Sequence, residues 1–243
     1  MGSRFSSFTK KKLLGKDNNL VSLDEPYEVM RRLLKECSVT GIIDAGASDG
    51  RVSKRLLRKF PSAHVYAFEP GSVYTETLRQ YARQECRFHP QFAALSDHEG
   101  SADLYVTASP GSTSLLRPGQ GLKEIDPQGS SIKRLEKVRL VTIDEWAKRN
   151  GEPAIQLMKF DIQAEELKAL RGAVGVLERS TYLVYSEIWF NPIYNGGAIY
   201  SEIDLFLRDH GFVLYDIFKP KYNPKGLIQW GNAIFLNTRR LGM

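Results

Sequence analysis

Cysteine is scarce in this 243-residue chain: Cys37 and Cys86 stand far apart and form no C-x-x-C pair. That argues against a disulfide framework or a thiolate zinc site and points to a reducing compartment, the cytoplasm. No apolar run approaches the roughly 18 to 20 residues of a bilayer-crossing helix, so a water-soluble protein with no transmembrane segment is expected. Met1–Asn19 contains Lys10, Lys11 and Lys12 but no apolar core of signal-peptide length, which argues against secretion by that route. No internal repeat is visible. The dinucleotide fingerprint G-x-G-x-x-G is missing too. None of the four histidines stands at the carboxyl end of an expected strand, which turns the search for a general base away from imidazole.

With 42% hydrophobic and 26% charged residues, the chain has ordinary globular composition. Its 34 basic against 28 acidic residues give +6, which favours anionic partners without requiring nucleic acid. Residues 1–20 read as a basic arm. Met1-Gly2-Ser3-Arg4-Phe5-Ser6 also fits a loose acylation pattern, a reading that weighs less than a plain arm. Residues 21–243 read as one domain.

Asp24 is placed to cap a lead-in helix running to about Cys37, with Val29, Leu33 and Leu34 on one face. Gly41-Ile42-Ile43-Asp44-Ala45-Gly46 is an apolar strand ending in a glycine turn, and Val52, Leu56, Leu57 and Phe60 follow at helical spacing. The opposite helix face carries Arg51, Lys54, Arg55, Arg58 and Lys59, as a solvated amphipathic helix does. Strand, helix and strand repeat at Val65–Pro70, Ser72–Gln84 and Phe92–Leu95. Leu104–Val106 reads as a further strand, and residues 108–137 as a long loop rich in Gly, Ser and Pro. Strands are then expected at Val138–Val141, Ile155–Phe160 and Tyr182–Ser186, with helices at Ile143–Arg149, Glu165–Leu177 and Ser201–Asp209. Two last β segments, Phe212–Phe218 and Ile228–Leu236, have no helix between them and read as an antiparallel hairpin. The expected class is α/β, a mostly parallel sheet with helices on both faces.

Ligands in such sheets sit beyond the carboxyl ends of the strands. In the first turn, Gly46-Ala47-Ser48-Asp49-Gly50, the glycines allow a tight bend and close approach of a ligand. Asp44 and Asp49 bracket it. Two carboxylates repel a pyrophosphate but suit S-adenosylmethionine, which carries an ammonium and a sulfonium. Glu69 ends the next strand 23 residues after Gly46, near the spacing of a ribose-binding carboxylate. Together these favour adenosylmethionine over NAD, with Ala94-Leu95-Ser96-Asp97 expected beside the adenine.

Five pieces, in order, resemble the FkbM family of adenosylmethionine-dependent methyltransferases. They are Asp44-Ala45-Gly46-Ala47-Ser48-Asp49-Gly50, Phe68-Glu69-Pro70, Ala93-Ala94-Leu95-Ser96-Asp97, Leu140–Asp144 and Met158-Lys159-Phe160-Asp161-Ile162-Gln163-Ala164-Glu165-Glu166. The family pattern usually has glycine where Ala164 stands, with its final carboxylate falling on Glu166. The resemblance implies a Rossmann-like methyltransferase fold and methylation of a hydroxyl, often on a sugar or polyketide-type product. A glycolipid or oligosaccharide bearing a deoxysugar is one such acceptor.

A sugar hydroxyl is a poor nucleophile and needs a base, a metal or both. Asp161 and Glu187, at the ends of adjacent strands, are the candidate catalytic residues, with Glu166 nearby. The same carboxylates, Asp161 and Glu187 first, are the candidate ligands for Mg²⁺. Ser112-Thr113-Ser114-Leu115-Leu116 is placed to close over the acceptor, and Trp189, Phe190 and Tyr194 to offer flat surfaces to it. Two alternatives stand beside this reading. One is a nucleic-acid methyltransferase, suggested by Asn191-Pro192-Ile193-Tyr194, which nevertheless follows the wrong strand for that role. The other is an adenosylmethionine-binding domain without catalysis.

Overall fold

The computed structural model describes residues 24–223 and 225–242. The basic arm and its acylation pattern lie outside the described residues. The chain opens with α1 (Pro26–Leu33), capped by Glu25, whose carboxylate accepts from the Glu28 N–H. The cap is therefore not Asp24; Pro26 at the first helical position sets the start.

Three parallel strands come first in the main sheet: β1 (Gly41–Ala45), β2 (His64–Phe68) and β3 (Phe88–Gln91). The helices α2 (Arg51–Lys59) and α3 (Thr75–Gln84) connect them. The third strand is thus Phe88–Gln91, not Phe92–Leu95. Pro90 hid it, since proline cannot feed a central ladder, but β3 is an edge strand and tolerates it.

The chain then leaves the main sheet. β4 (Ala94–Leu95), β5 (Gly100–Thr107) and β6 (Ile132–Val141) form a separate three-stranded sheet in the order β4-β6-β5. The expected loop at 108–137 is shorter than its composition suggested, because β6 begins at Ile132 and α4 (Gln120–Ile125) lies within it. The first half of β6 is largely exposed and mixes Lys133, Arg134 and Glu136 with Ile132 and Leu135, so it lacks the clean alternation that marks a half-buried strand.

After α5 (Ile143–Arg149) the chain returns as β7 (Leu157–Phe160), pairs beside β1, and continues through α6 (Glu166–Arg171) and α7 (Val174–Ser180). The single helix expected over Glu165–Leu177 breaks at Gly172, where a Cβ would stand 2.1 Å from the Ser96 carbonyl oxygen. β8 (Leu183–Trp189) extends past Glu187, and α8 (Tyr200–Asp209) leads to the hairpin β9 (Phe212–Tyr222) and β10 (Ile228–Asn237). A short α9 (Thr238–Leu241) ends the described helices. The main-sheet order is β3-β2-β1-β7-β8-β10-β9, and only β10 runs antiparallel to its two neighbours.

Alternation along the strands feeds two cores. Ile43, Met158, Val184 and Phe235 pack under α5 to α8, while Ile42, Leu157, Leu183 and Ile234 pack under α1 to α3. Each such fully buried apolar side chain contributes about 1.5–3 kcal/mol. α2 turns its expected basic face outward, and α1 answers it: Arg55 pairs with Glu25 at 3.2 Å and Lys59 with Glu28. No helix among the described residues is long and apolar enough to cross a membrane.

Candidate active site

The carboxyl ends of β1, β2, β7 and β8 open into a cavity of about 720 Å³, roofed by the three-stranded sheet and the 109–115 segment. That volume lies in the range of small-molecule sites.

At the first turn, Gly46 has φ +75°, and a Cβ there would stand 1.9 Å from the Asp161 carbonyl oxygen. Both facts demand glycine. The Gly46 and Ala47 N–H groups donate to the Phe68 carbonyl at 2.9 and 3.1 Å, which closes the bend onto β2. Gly46 and Ser48 line the cavity; Asp44, Ala45, Ala47, Asp49 and Gly50 do not.

The two aspartates therefore do not face the ligand space as expected. Asp49 turns outward to Arg51 at 2.7 Å. Asp44 is fully buried, takes a 2.6 Å hydrogen bond from Ser53 Oγ and stands 3.0 Å from the Nζ of Lys159. Lys159, 2% exposed, also donates to the Ala45 and Gly46 carbonyls at 3.0 Å each. Burial works to strip its proton, but Asp44 and Asp161 overrule it and hold its pKa above the ordinary lysine value. Lys159 does not line the cavity but braces the first turn, and an acid–base reading of the sequence does not single it out. Its signal was a lysine inside the otherwise apolar strand Leu157–Phe160, where an unpaired charge is not tolerated.

Glu69 does face the cavity. Its two oxygens accept from the Ser48 and Gly71 N–H groups, each at 2.9 Å, so it staples the first turn to the second. Burial pushes its carboxyl up, and those two N–H bonds oppose the shift. Pro70, Ala94 and Leu95 also line the cavity, but Ser96 and Asp97 do not. Once β4 has joined β6, the chain turns away, and Asp97 pairs with His98 at 2.7 Å. None of the four histidines lines the cavity.

On the other side, Phe160 pairs in register with Ser186, which brings Asp161 and Glu187 level at the mouth of the sheet. Both line the cavity. Gln163 bridges them: its Nε2 donates to Asp161 Oδ1 at 3.1 Å and Glu187 Oε2 at 2.8 Å. Burial, with Asp161 and Glu166 adding to it, raises the Glu187 pKa well above the usual carboxylate range. Glu166 is fully buried outside the cavity lining, accepts from the Ile162 N–H at 2.9 Å, and is pushed up to about 7 by burial.

Ser112, Ser114 and Trp189 line the cavity. Tyr194 does not; it is buried at 1% exposure behind the wall, its ring edge-on to Trp189, so it offers no open surface. For the same reason Asn191-Pro192-Ile193-Tyr194 presents no ring to a flipped base.

Among the described residues no group of three or more His, Cys, Asp or Glu side chains is arranged to hold a metal ion. The Asp161–Glu187 pair does not fit Mg²⁺, because an amide donor stands between the two carboxylates where a cation requires only acceptors.

Two curated relatives match part of the chain. The 2-O-methyltransferase NoeI of Sinorhizobium fredii is 25% identical over 64% of this chain, and the match spans 65% of that protein, just under two thirds of its length. The methyltransferase sdnD of Sordaria araneosa is 26% identical over 70% of this chain and 73% of its own. Among solved structures, a precorrin-6y C5,15-methyltransferase from Geobacter metallireducens aligns with 90% of this chain and 92% of its own at 12% identity and a TM-score of 0.44. The family model described as the methyltransferase FkbM domain matches residues 44–214, from the buried aspartate of β1 into β9, and the chain therefore belongs to the FkbM family of methyltransferases.

Proposed function

We propose that this protein transfers a methyl group from S-adenosylmethionine to a hydroxyl of a carbohydrate, the sugar or deoxysugar of a glycolipid, oligosaccharide or natural product. The observation that carries the donor is the sign of the cavity. In a chain of net charge +6, the acidic and basic side chains lining it among the described residues are Glu69, Asp126, Glu136, Asp161, Glu165 and Glu187 on one side and Arg134 on the other. Such a lining attracts a cationic sulfonium compound and repels a pyrophosphate.

Gly46 and Ser48 would hold the donor at the turn, Glu69 its ribose hydroxyls, and Ala94 and Leu95 its base. When bound, the donor supplies an electrophilic methyl carbon. Glu187, whose proton affinity is raised by burial and by the neighbouring Asp161, takes the acceptor's proton, and Asp161 orients the hydroxyl beside it. Ser112 and Ser114 in the roof exclude water from the reacting atoms. The name of NoeI as a 2-O-methyltransferase supports an oxygen acceptor. The free cysteines Cys37 and Cys86 support a cytoplasmic setting.

Calorimetry with S-adenosylhomocysteine and NAD tests the donor. Binding of the first and not the second is expected, with Glu69→Ala weakening it by roughly 10- to 100-fold, as for loss of a charge-assisted hydrogen bond. Tight NAD binding with no response to adenosylhomocysteine overturns the reading. Transfer of labelled methyl to a panel of methyl glycosides tests the acceptor.

A further inference from the structure

Gln163, just past the end of β7, is held by hydrogen bonds of both its side chain and its main chain. Its amide nitrogen spends both hydrogens on carboxylates, at 3.1 Å on Asp161 and 2.8 Å on Glu187. Its Oε1 lies 2.9 Å from the Tyr194 hydroxyl, which also lies 3.0 Å from the Ser112 carbonyl and divides its one hydrogen between these acceptors. The main-chain carbonyl of Gln163 accepts from Ser114 Oγ at 2.7 Å. The backbone is left-handed here, φ +58° at Gln163 and +74° at Ala164, a conformation unfavourable for side-chain-bearing residues. Such strain persists only where surrounding contacts over-determine it.

We infer that Gln163 is a positioning residue for methyl transfer: its amide fixes the spacing and orientation of the Asp161–Glu187 pair, and its links to Tyr194 and Ser114 tie that pair to the seating of the 112–114 roof. The inference rests on the proposed reaction and deepens it. An amide suits the place because it supplies two donors without charge. The charged and titratable groups acting on Glu187 are Asp161 and Lys159 from β7 and its end, Glu166 from α6, Tyr185 on β8 itself and Tyr194 after it. Its register partner on β10 is the uncharged Asn232. Gln163 is thus the neutral donor that keeps two level carboxylates facing one space.

The test uses ¹³C-carboxyl-labelled full-length protein, with the Glu187 signal assigned through Glu187→Gln. Gln163→Met, close in size and without donors, is expected to raise the Glu187 titration midpoint by about one unit. Tyr194→Phe raises it by less, and Gln163→Asn restores part of the shift. An unchanged midpoint in Gln163→Met overturns the inference. With labelled adenosylmethionine and methyl glycosides, Gln163→Met lowers kcat on the order of 10²-fold and leaves the donor KM unchanged. Equal loss in both parameters overturns the positioning role. Adenosylhomocysteine calorimetry on the parent protein separates the two levels: no binding there removes the donor reading, whereas binding with an unmoved Glu187 midpoint removes only the role of Gln163.

Discussion

The Cβ of Ala164 occupies the place that a Cβ on Gly197 would need: the two would stand 2.7 Å apart. Ala164 holds φ +74°, and its carbonyl accepts from the Ala198 N–H at 3.2 Å, so the two segments are laced together at this point. Where the family pattern carries glycine before the helix, this chain carries a methyl group, and Gly197 leaves the room for it.

Gly197→Ala alone is accordingly expected to destabilise the protein by about 1–3 kcal/mol through overpacking. Ala164→Gly alone stays within about 1 kcal/mol of the parent, because relief of the left-handed backbone offsets lost burial and added unfolded-state freedom. The double variant recovers most of the loss. Urea denaturation of the four proteins closes the cycle, and purely additive losses contradict the contact.

Lys159→Met leaves Asp44 charged and buried without its partner, a loss of about 3–5 kcal/mol. Adding Asp44→Asn returns much of it, since no uncompensated charge then remains. A Lys159→Met penalty under about 1 kcal/mol, the range of an exposed ion pair, is the result that contradicts this account.

Glu166 gives a pH dependence with a defined sign. Its carboxyl titrates near 4.5 when unfolded and is pushed up to about 7 in the fold, so the native state holds the extra proton between those values. The contribution of Glu166 to stability is fully present below about 4.5 and is lost as pH rises to about 7, by on the order of 3 kcal/mol. Glu166→Gln is expected to match the parent near pH 5, exceed it near pH 8, and flatten the slope between. Parallel stability curves for the two proteins argue against a raised Glu166.

Much of the site was legible because apolar strands announce their ends. Ile42-Ile43 and Leu157–Phe160 locate Gly46 and Asp161, and Glu69 follows a clear β2. The rest was hidden for separate reasons. Pro90 disguises an edge strand, and the charged first half of β6 masks a ladder that faces solvent on one side. Asp44 shows its charge in the sequence but not the lysine from β7 that pairs with it and keeps it out of the cavity lining. Tyr194 reads as a surface aromatic until the roof is folded over it.

The chain departs from the main sheet and comes back beside itself: Ala94 pairs with Leu140 and Leu95 with Val141. The stretch between those pairs touches both ends of its own circuit without supplying any strand to the seven-stranded sheet. It is nevertheless stitched to the main body, by Ser114 to the Gln163 carbonyl, by Tyr194 to the Ser112 carbonyl and by Glu136 to the Ser72 N–H, so a change within it is felt at those three anchors.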